Sequence, residues 1–374
     1  MTLTDKQNEG LRLAIQRYKN KEKFTVIAGF AGSGKSTLVQ YIIKELNIPD
    51  SKIAYVAYTG RAALVLKEKG CPGATTAHKL CYHTTELPDG TFEHTPKDEP
   101  DKQLKLIVVD EVSMLEKEQW DILMHWGIHV ICLGDPFQLP SINQENHVLD
   151  HPHIFLDEIM RQAQDSEIIR LSMDVRAGKP LSLFKGKDVW VVPKDKITDR
   201  MLSTADIVLC GKNATRYYLN QKMRRLRWQD QYKDEPIEGD KIICLKNYWN
   251  YGDLANGLIG TIDWIDKQED FILKTKLIAD FKTDDNVFRG LSMDYQLFTD
   301  GKPLVNQDNW KMYPKEIRPM EFDYAYAITC HKAQGSEFEK VVLFNEPIGK
   351  DRELRQRWLY TGLTRSSKKL VVAI

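Results

Sequence analysis

The chain has 374 residues, with 53 Lys and Arg against 53 Asp and Glu, so its formal net charge is zero. Without an overall basic field it would need a local groove, not bulk charge, to hold nucleic acid. No stretch approaches the ~18 consecutive apolar residues of a membrane span, and the N-terminus lacks the apolar core of a signal peptide. Six cysteines (Cys71, Cys81, Cys132, Cys210, Cys244 and Cys330) fall without C-x-x-C spacing, which argues against a zinc site and fits reduced thiols in a cytosol. The length suits two or three domains of ~150 residues each.

Thr4 to Tyr18 reads as a helix with Leu11, Ile15 and Tyr18 on one face. Thr4 and Gln7 have capping-box spacing, and Gln7 is equally placed to read an adenine base just before the first strand. Phe24 to Ala28 is a short β-favouring run. It leads into Gly29–Thr37, Gly-Phe-Ala-Gly-Ser-Gly-Lys-Ser-Thr, which matches G-x-x-x-x-G-K-[ST] without a mismatch. Leu38, Ile42, Ile43 and Leu46 then recur at helical spacing. Strand, glycine loop and helix together aim a helix N-terminus and several backbone N–H groups at a phosphate chain. Lys35 would reach the outer phosphates of a nucleoside triphosphate, and the Ser36 hydroxyl would ligate Mg²⁺.

Ile53 to Ala57 is a second buried-strand run, opening through Thr59 into a helix that extends through Leu66. Thr75-Thr-Ala-His-Lys-Leu follows. A Thr-rich loop at the carboxyl end of a strand is where open α/β sheets bind ligands, although Thr59 and Thr76 are also ordinary helix caps. Residues 81–103 break the rhythm. Pro88-Asp89-Gly90 signals a hairpin turn, which predicts a small β-hairpin standing off the sheet, with Phe92 near its tip as an exposed aromatic or part of a satellite core. Leu106 to Val109 is a central strand delivering Asp110 and Glu111 at its carboxyl end, one for Mg²⁺ and one to polarise water. His129 to Leu133 ends in Gly134-Asp-Pro-Phe-Gln-Leu-Pro, where Gln138 can hydrogen-bond a γ-phosphate or water.

The second half starts near Asp150. Arg161 closes an apolar run and a helix follows to Ala177. Val189–Val192 and Ile207–Cys210 read as strands. The helix through Trp228 interleaves Arg216, Lys222, Arg224, Arg225 and Arg227 with Tyr217 and Tyr218, a pattern open to either a nucleic-acid face or a solvated one. From Gly239 the pattern is β, with strands at Lys241–Leu245, Leu258–Ile265 and Phe271–Ala279 and turns at Asn256-Gly257 and Lys267–Asp270. This predicts a small barrel inserted in the second domain. Tyr324–Ile328 returns to an α/β strand, followed by Thr329-Cys-His-Lys-Ala-Gln-Gly-Ser-Glu-Phe. The strand Val341–Phe344, a helix to Leu363 and the last strand Leu370–Ile374 complete the chain.

The phosphate loop, Thr59-Gly-Arg-Ala-Ala, Asp110-Glu-Val-Ser, Gly134-Asp-Pro-Phe-Gln, Thr329–Phe338 and Tyr360-Thr-Gly-Leu-Thr-Arg365 occur in the order of superfamily-one helicase motifs. Together they most resemble the RecD-like branch that includes Dda. The resemblance covers the chain except 81–103 and roughly 265–320. It implies an α/β fold of two RecA-like P-loop motor domains, 1–150 and 151–238 with 320–374, with the hairpin insertion at 81–103 and an SH3-like β insertion at 239–319. It further implies ATP hydrolysis with Mg²⁺, 5′→3′ movement on single-stranded DNA, action at single-strand/duplex junctions, no membrane, a monomer, and a cytoplasmic setting in a bacterial or phage-infected cell.

Carried over by residue, Gly32, Gly34, Lys35, Ser36 and Thr37 match the phosphate and Mg²⁺ site, and Asp110 and Glu111 the metal- and water-activating pair. Gln138 matches the γ-phosphate contact, Arg161 and Arg365 the arginines offered by the second domain, and Gln334, Gly335 and Glu337 its nucleotide-touching motif. The resemblance favours adenine reading for Gln7. Thr59, Thr76, His78, Thr329 and His331 lie in DNA-touching motifs, and Phe92 lies on the hairpin at the position of the duplex-splitting pin. Tyr58 departs from the proline of many relatives, which leaves the shape of that DNA loop open. A motor that translocates or remodels without unwinding shares these motifs. A nucleotide-dependent clamp would not need Lys35, Glu111, Gln138, Arg161 and Arg365 together.

Overall fold

The computed structural model describes residues 3–374 except 88–91, 102, 141–146, 159–164, 249–250, 252–253, 271–273, 285, 306–308, 310–311 and 314–317. The side chains of Glu86, Phe92 and Lys274 also lie outside the description.

The first half contributes β1 (Phe24–Gly29), β2 (Ile53–Ala57), β3 (Thr75–Thr76), β4 (Tyr82–Glu86), β5 (Phe92–Pro96), β6 (Leu106–Val109), β7 (His129–Gly134) and β8 (Ile154–Leu156). Six of them form a parallel sheet in the order β3-β2-β6-β7-β1-β8. Its strands are apolar on both faces, as a sheet covered by helices on each side requires. Ile27, Leu106 and Val108 face the helices Asp5–Lys19 and Lys35–Leu46, while Val26, Ile107 and Val109 face the side of Lys117–His125. The carboxyl ends of β1, β6 and β7 therefore deliver the phosphate loop, Asp110 and Asp135 to one edge. Strands β4 and β5 pair antiparallel from Tyr82↔Pro96 to Glu86↔Phe92. His83, Thr84, Thr85, Glu93, His94 and Thr95 are all exposed, so this ladder projects into solvent.

The second half adds β9 (Phe184–Lys185), β10 (Val189–Val192), β11 (Ile207–Cys210), β12 (Lys241–Cys244), β13 (Ile259–Asp270), β14 (Lys274–Lys282), β15 (Val287–Met293), β16 (Phe322–Tyr324), β17 (Ala327–Thr329), β18 (Phe338–Phe344) and β19 (Ser366–Ala373). A second sheet runs β17-β11-β18-β19-β10-β9, parallel except for β9. An antiparallel sheet runs β15-β14-β13-β12-β16. Its inner face (Ile242, Phe281, Leu291 and Phe322) shares one apolar cluster with Val208 of β11 and with Leu219 and Met223 of the helix Asn213–Trp228.

Three local expectations change. The single strand expected at Tyr324–Ile328 is split: β16 joins the antiparallel sheet and β17 the parallel one. At the break, the buried Asn220 amide donates to the carbonyls of Tyr324 (3.2 Å) and Ala327 (2.9 Å), and its carbonyl accepts the Ala327 N–H at 2.7 Å. One side chain thus satisfies backbone groups that a continuous ladder would otherwise pair. The turn expected at Lys267–Asp270 is instead ladder, with Lys267 opposite Leu277 and Asp270 opposite Lys274. Polar residues on a hairpin solvated on both faces look like turn residues in sequence. The cation-rich helix is neither simply solvated nor a free basic face. Arg224 is fully buried against Asp240, Arg216 pairs with Asp323 and Lys222 with Asp199, while Tyr218 is 63% exposed.

Candidate nucleotide site between the two parallel sheets

Glycine's lack of a side chain shapes the loop after β1. A Cβ on Gly29 would stand 2.6 Å from Ser33 Oγ and 2.7 Å from the Leu156 carbonyl, and Gly32 and Gly34 have φ of 77° and 82°. Gly34 caps the helix Lys35–Leu46 without a side-chain hydrogen bond, so the first-turn N–H groups face outward as an anion cradle. The Lys35 ammonium donates to the carbonyls of Gly29 (2.7 Å) and Phe30 (3.1 Å) of that loop.

A cleft of about 310 Å³ opens beside it. Gly32, Lys35, Ser36, Asp110, Glu111 and Gln138 line it from the first unit, and Gly335, Glu337 and Arg365 from the second. Arg365 is 6% exposed; its guanidinium donates to the carbonyls of Thr361 (3.1 Å) and Ser336 (3.2 Å), which fixes its direction. Desolvation in the cleft wall raises the pKa of Glu111, the positive charges of Arg365 and Lys35 pull it down, and Asp110 and Asp135 push it up. Glu337 reaches across the rim toward Lys69 at 3.7 Å. At the floor, a Cβ on Gly335 (φ 71°) would stand 3.0 Å from Ala62 Cβ, so the two units meet backbone to side chain.

The buried Gln138 Oε1 and Ser33 Oγ are polar atoms without a partner among the described residues. The outward N–H groups, the ammonium and the guanidinium make the cavity donor-rich and suited to a polyphosphate, while Gln138 Oε1 can accept from a water there. Ser36 and Asp110 could hold Mg²⁺, a hard cation content with few protein oxygens when phosphate oxygens and water complete its shell.

Some expected residues support the cleft without lining it. Gly34 and Thr37 flank its lining residues within the loop. Gln334 spends its amide on the Leu139 carbonyl at 2.7 Å. Gln7, 1% exposed, makes the capping box with Thr4 (3.0 and 3.3 Å) and also donates to the Ser33 carbonyl at 3.3 Å. Arg161 lies outside the described residues.

Of the residues expected at DNA, Thr59 and Thr76 do cap helices, accepting from Ala62 N (3.1 Å) and Lys79 N (3.2 Å). A hydroxyl that accepts an N–H still has its own proton to donate. The His78 ring packs 4.3 Å from that of His94, and burial, followed by the neighbouring histidine, lowers its pKa to about 4. Thr329 closes β17 and accepts from Lys332 N at 3.4 Å; burial lowers the pKa of His331.

Sequence reasoning missed a polar seam. The Tyr360 hydroxyl donates to Asp135 at 2.7 Å, and Thr361 Oγ1 accepts the Leu139 N–H at 2.8 Å. Both belong to quoted motifs, yet neither had been given a role.

The AAA-domain family model matches residues 2–188, half of the chain, and a UvrD-like helicase C-terminal domain model matches 324–373. The chain belongs to the AAA-domain family, and with its UvrD-like C-terminal match it is similar to superfamily-one helicases of the RecD/Dda/Pif1 type. It is 23% identical to an uncharacterized protein of Methanocaldococcus jannaschii over 95% of this chain and 37% of that protein. It is 26% identical to the ATP-dependent DNA helicase Dda of phage T4 over 47% of this chain and 43% of that one. The matched segments thus cover less than half of the length of both relatives. A structure of Pif1 helicases at forked double-stranded DNA superimposes with a TM-score of 0.59 at 18% identity, covering 100% of this chain and 92% of that one. That likeness defines an α/β, RecA-like helicase fold.

Proposed function

We propose that this chain is an ATP-dependent DNA helicase that moves 5′→3′ along single-stranded DNA and opens the duplex ahead of it. The observation that carries the reading is the cleft: catalytic-type groups from both parallel sheets face one space, so a nucleotide there responds to how the two units are seated. The names of relatives such as the T4 helicase Dda support the activity and its DNA substrate. In this reading Lys35 and the loop N–H groups bind the phosphates, with Gly32, Gly34 and Thr37 shaping that cradle. Ser36 and Asp110 would hold Mg²⁺, which would supply neutralising charge to the phosphates; Glu111 takes the proton of the attacking water, and Gln138 orients water or γ-phosphate. Arg365, with Arg161 in the same role, adds positive charge from the second unit; Gln334, Gly335 and Glu337 complete that side, and Gln7 reads the adenine.

Thr59, Thr76, His78, Thr329 and His331 grip the DNA backbone from the two units alternately. Such contacts ignore sequence, as a translocating motor requires. We assign the β4–β5 ladder as the pin, with Phe92 as its aromatic, and the antiparallel sheet as an SH3-like insertion. We place the first domain through β8 and the insertion through β16, a few residues beyond the 1–150 and 239–319 read from the sequence, because β8 pairs with β1 and β16 with β12; 157–238 and 325–374 then make the second domain. A monomer is the working unit, because one chain supplies both sides of the cleft, and a bacterial or phage-infected cytoplasm its setting.

ATP-driven unwinding of a 5′-tailed and a 3′-tailed duplex tests this. Opening of the 5′-tailed substrate alone is expected, and opening of the 3′-tailed one alone refutes the polarity. If neither opens while single-stranded DNA still stimulates ATPase, the protein is a translocase or remodeller.

A further inference from the structure

We propose that Arg176 and Tyr360 are positioning residues through which the second unit holds the outer side of the phosphate loop, so that nucleotide affinity depends on the seating of the two units. The inference rests on the cleft being the nucleotide site. Phe30, the second residue of the loop, has its ring edge-to-face with Phe155 at 5.2 Å, and the Arg176 guanidinium lies over it at 3.5 Å from the centroid. The next residue, Ala31, donates its backbone N–H to the Tyr360 hydroxyl at 3.1 Å, and that hydroxyl donates to the buried Asp135 at 2.7 Å. Asp135 in turn accepts the Phe137 N–H at 2.9 Å. The hydroxyl is thus fully used: one bond accepted from the phosphate loop, one donated to the loop carrying Gln138.

The two grips are linked. Arg176 ends the helix Glu167–Arg176, and Tyr360 lies on Arg352–Leu363. The Gln356 amide of the latter donates to the Val175 and Arg176 carbonyls, the second at 2.9 Å. A shift of the second unit therefore pulls on Phe30 and Ala31 together, just ahead of the N–H groups and ammonium that face the cleft. Arg176 Nη1 is buried and makes no hydrogen bond among the described residues, and the guanidinium's close contact here is with the Phe30 ring.

The test is ADP affinity by titration calorimetry on the full chain, with Tm recorded for every variant. Tyr360→Phe and Arg176→Ala are each expected to weaken ADP binding by about fivefold to tenfold, the size of one net hydrogen bond or cation–π contact. Arg176→Lys should recover part of the loss, because an ammonium can still sit over the ring. Phe30→Leu combined with Arg176→Ala should be no weaker than the worse single change, since both remove one contact. Unchanged ADP affinity in Tyr360→Phe and Arg176→Ala, whatever happens to Tm, overturns the proposal, as does Arg176→Lys behaving like Arg176→Ala. Absence of DNA-stimulated ATPase in the unaltered chain would sink the helicase reading alone, because the ADP measurement uses no DNA.

Discussion

Glu111 adopts a left-handed backbone conformation with φ of 51°, and the Asp110 carboxylate accepts its N–H at 3.0 Å. A non-glycine residue in that region costs about 1–3 kcal/mol and is kept where the surroundings over-determine it. Here the turn brings both carboxylates to the cleft, Asp110 at the proposed metal position and Glu111 beside it. Because desolvation raises the Glu111 pKa in the free cleft, the acid limb of the kcat/KM profile should lie above the usual carboxylate range. Glu111 works as a base only when ionised, so activity falls as pH drops through that raised value. Glu111→Gln should lower kcat by about 10²–10⁴-fold and erase the limb, as steady-state ATPase against pH would show. A wild-type limb at an ordinary carboxylate pKa would contradict the burial argument. Lys35→Ala should abolish hydrolysis, and normal turnover in that variant would refute the assignment of the loop. These residues were legible because phosphate chemistry fixes their type and spacing. Tyr360 was not, since its partners Ala31 and Asp135 lie 329 and 225 positions away. Gln7 shows a subtler limit: capping and adenine reading looked like competing roles, whereas its amide oxygen serves the cap and its nitrogen donates to the Ser33 carbonyl of the phosphate loop, a contact the sequence did not suggest.

At the scale of elements, the helix Asn213–Trp228 fastens the antiparallel sheet to the second parallel one. Arg224 and Asp240 are fully buried, joined at 2.8–3.1 Å, and Asp240 also accepts from Trp228 Nε1 (2.8 Å), Tyr326 Oη (2.9 Å) and Ile237 N (3.0 Å). Removing one partner strands the other's charge, which costs about 3–5 kcal/mol, whereas removing both charges costs much less. Arg224→Met should therefore destabilise the protein strongly in urea unfolding, and Arg224→Met with Asp240→Asn should recover a large part. Equal losses in the single and double variants would show that packing, not the stranded charge, dominates. The sequence showed the cations of this helix but not Asp240 beneath them, because burial is invisible in a helix whose mean composition is polar. The strand split at Ala325–Tyr326 was hidden for a related reason. Residues on both sides of the break are buried, and Asn220, 104 to 107 positions away in sequence, is the side chain that bonds the backbone at the break.

Over the whole molecule, zero net charge and the groups proposed to touch DNA make a joint statement. Thr59, Thr76 and Thr329 are neutral, and with its pKa lowered to about 4 His78 is neutral at pH 7. Neutral donors release no counterions, so His78→Ala should weaken single-strand binding while leaving the salt slope of log K unchanged. A shallower slope in that variant would mean that His78 binds as a cation. The ladder of β4 and β5 touches this grip at its base, where the His94 ring packs 4.3 Å from that of His78. Its residues 83–85 and 93–95 are exposed, and its base is held by the buried Lys97, which pairs with Asp101 at 2.6 Å and accepts from Trp126 Nε1 at 3.0 Å through its carbonyl. An element that buries so little contributes little to the stability of the sheet beneath it, so change at its far end can be felt in function without being felt in folding. If the ladder is the pin, Phe92→Ala should slow unwinding of a 5′-tailed duplex several-fold while ATPase stimulated by single-stranded DNA stays near its original rate. The cost then falls on strand separation, the one step that needs an obstacle in the path of the duplex. Parallel loss of both activities would place Phe92 in the grip on the single strand and leave the ladder without a separating role.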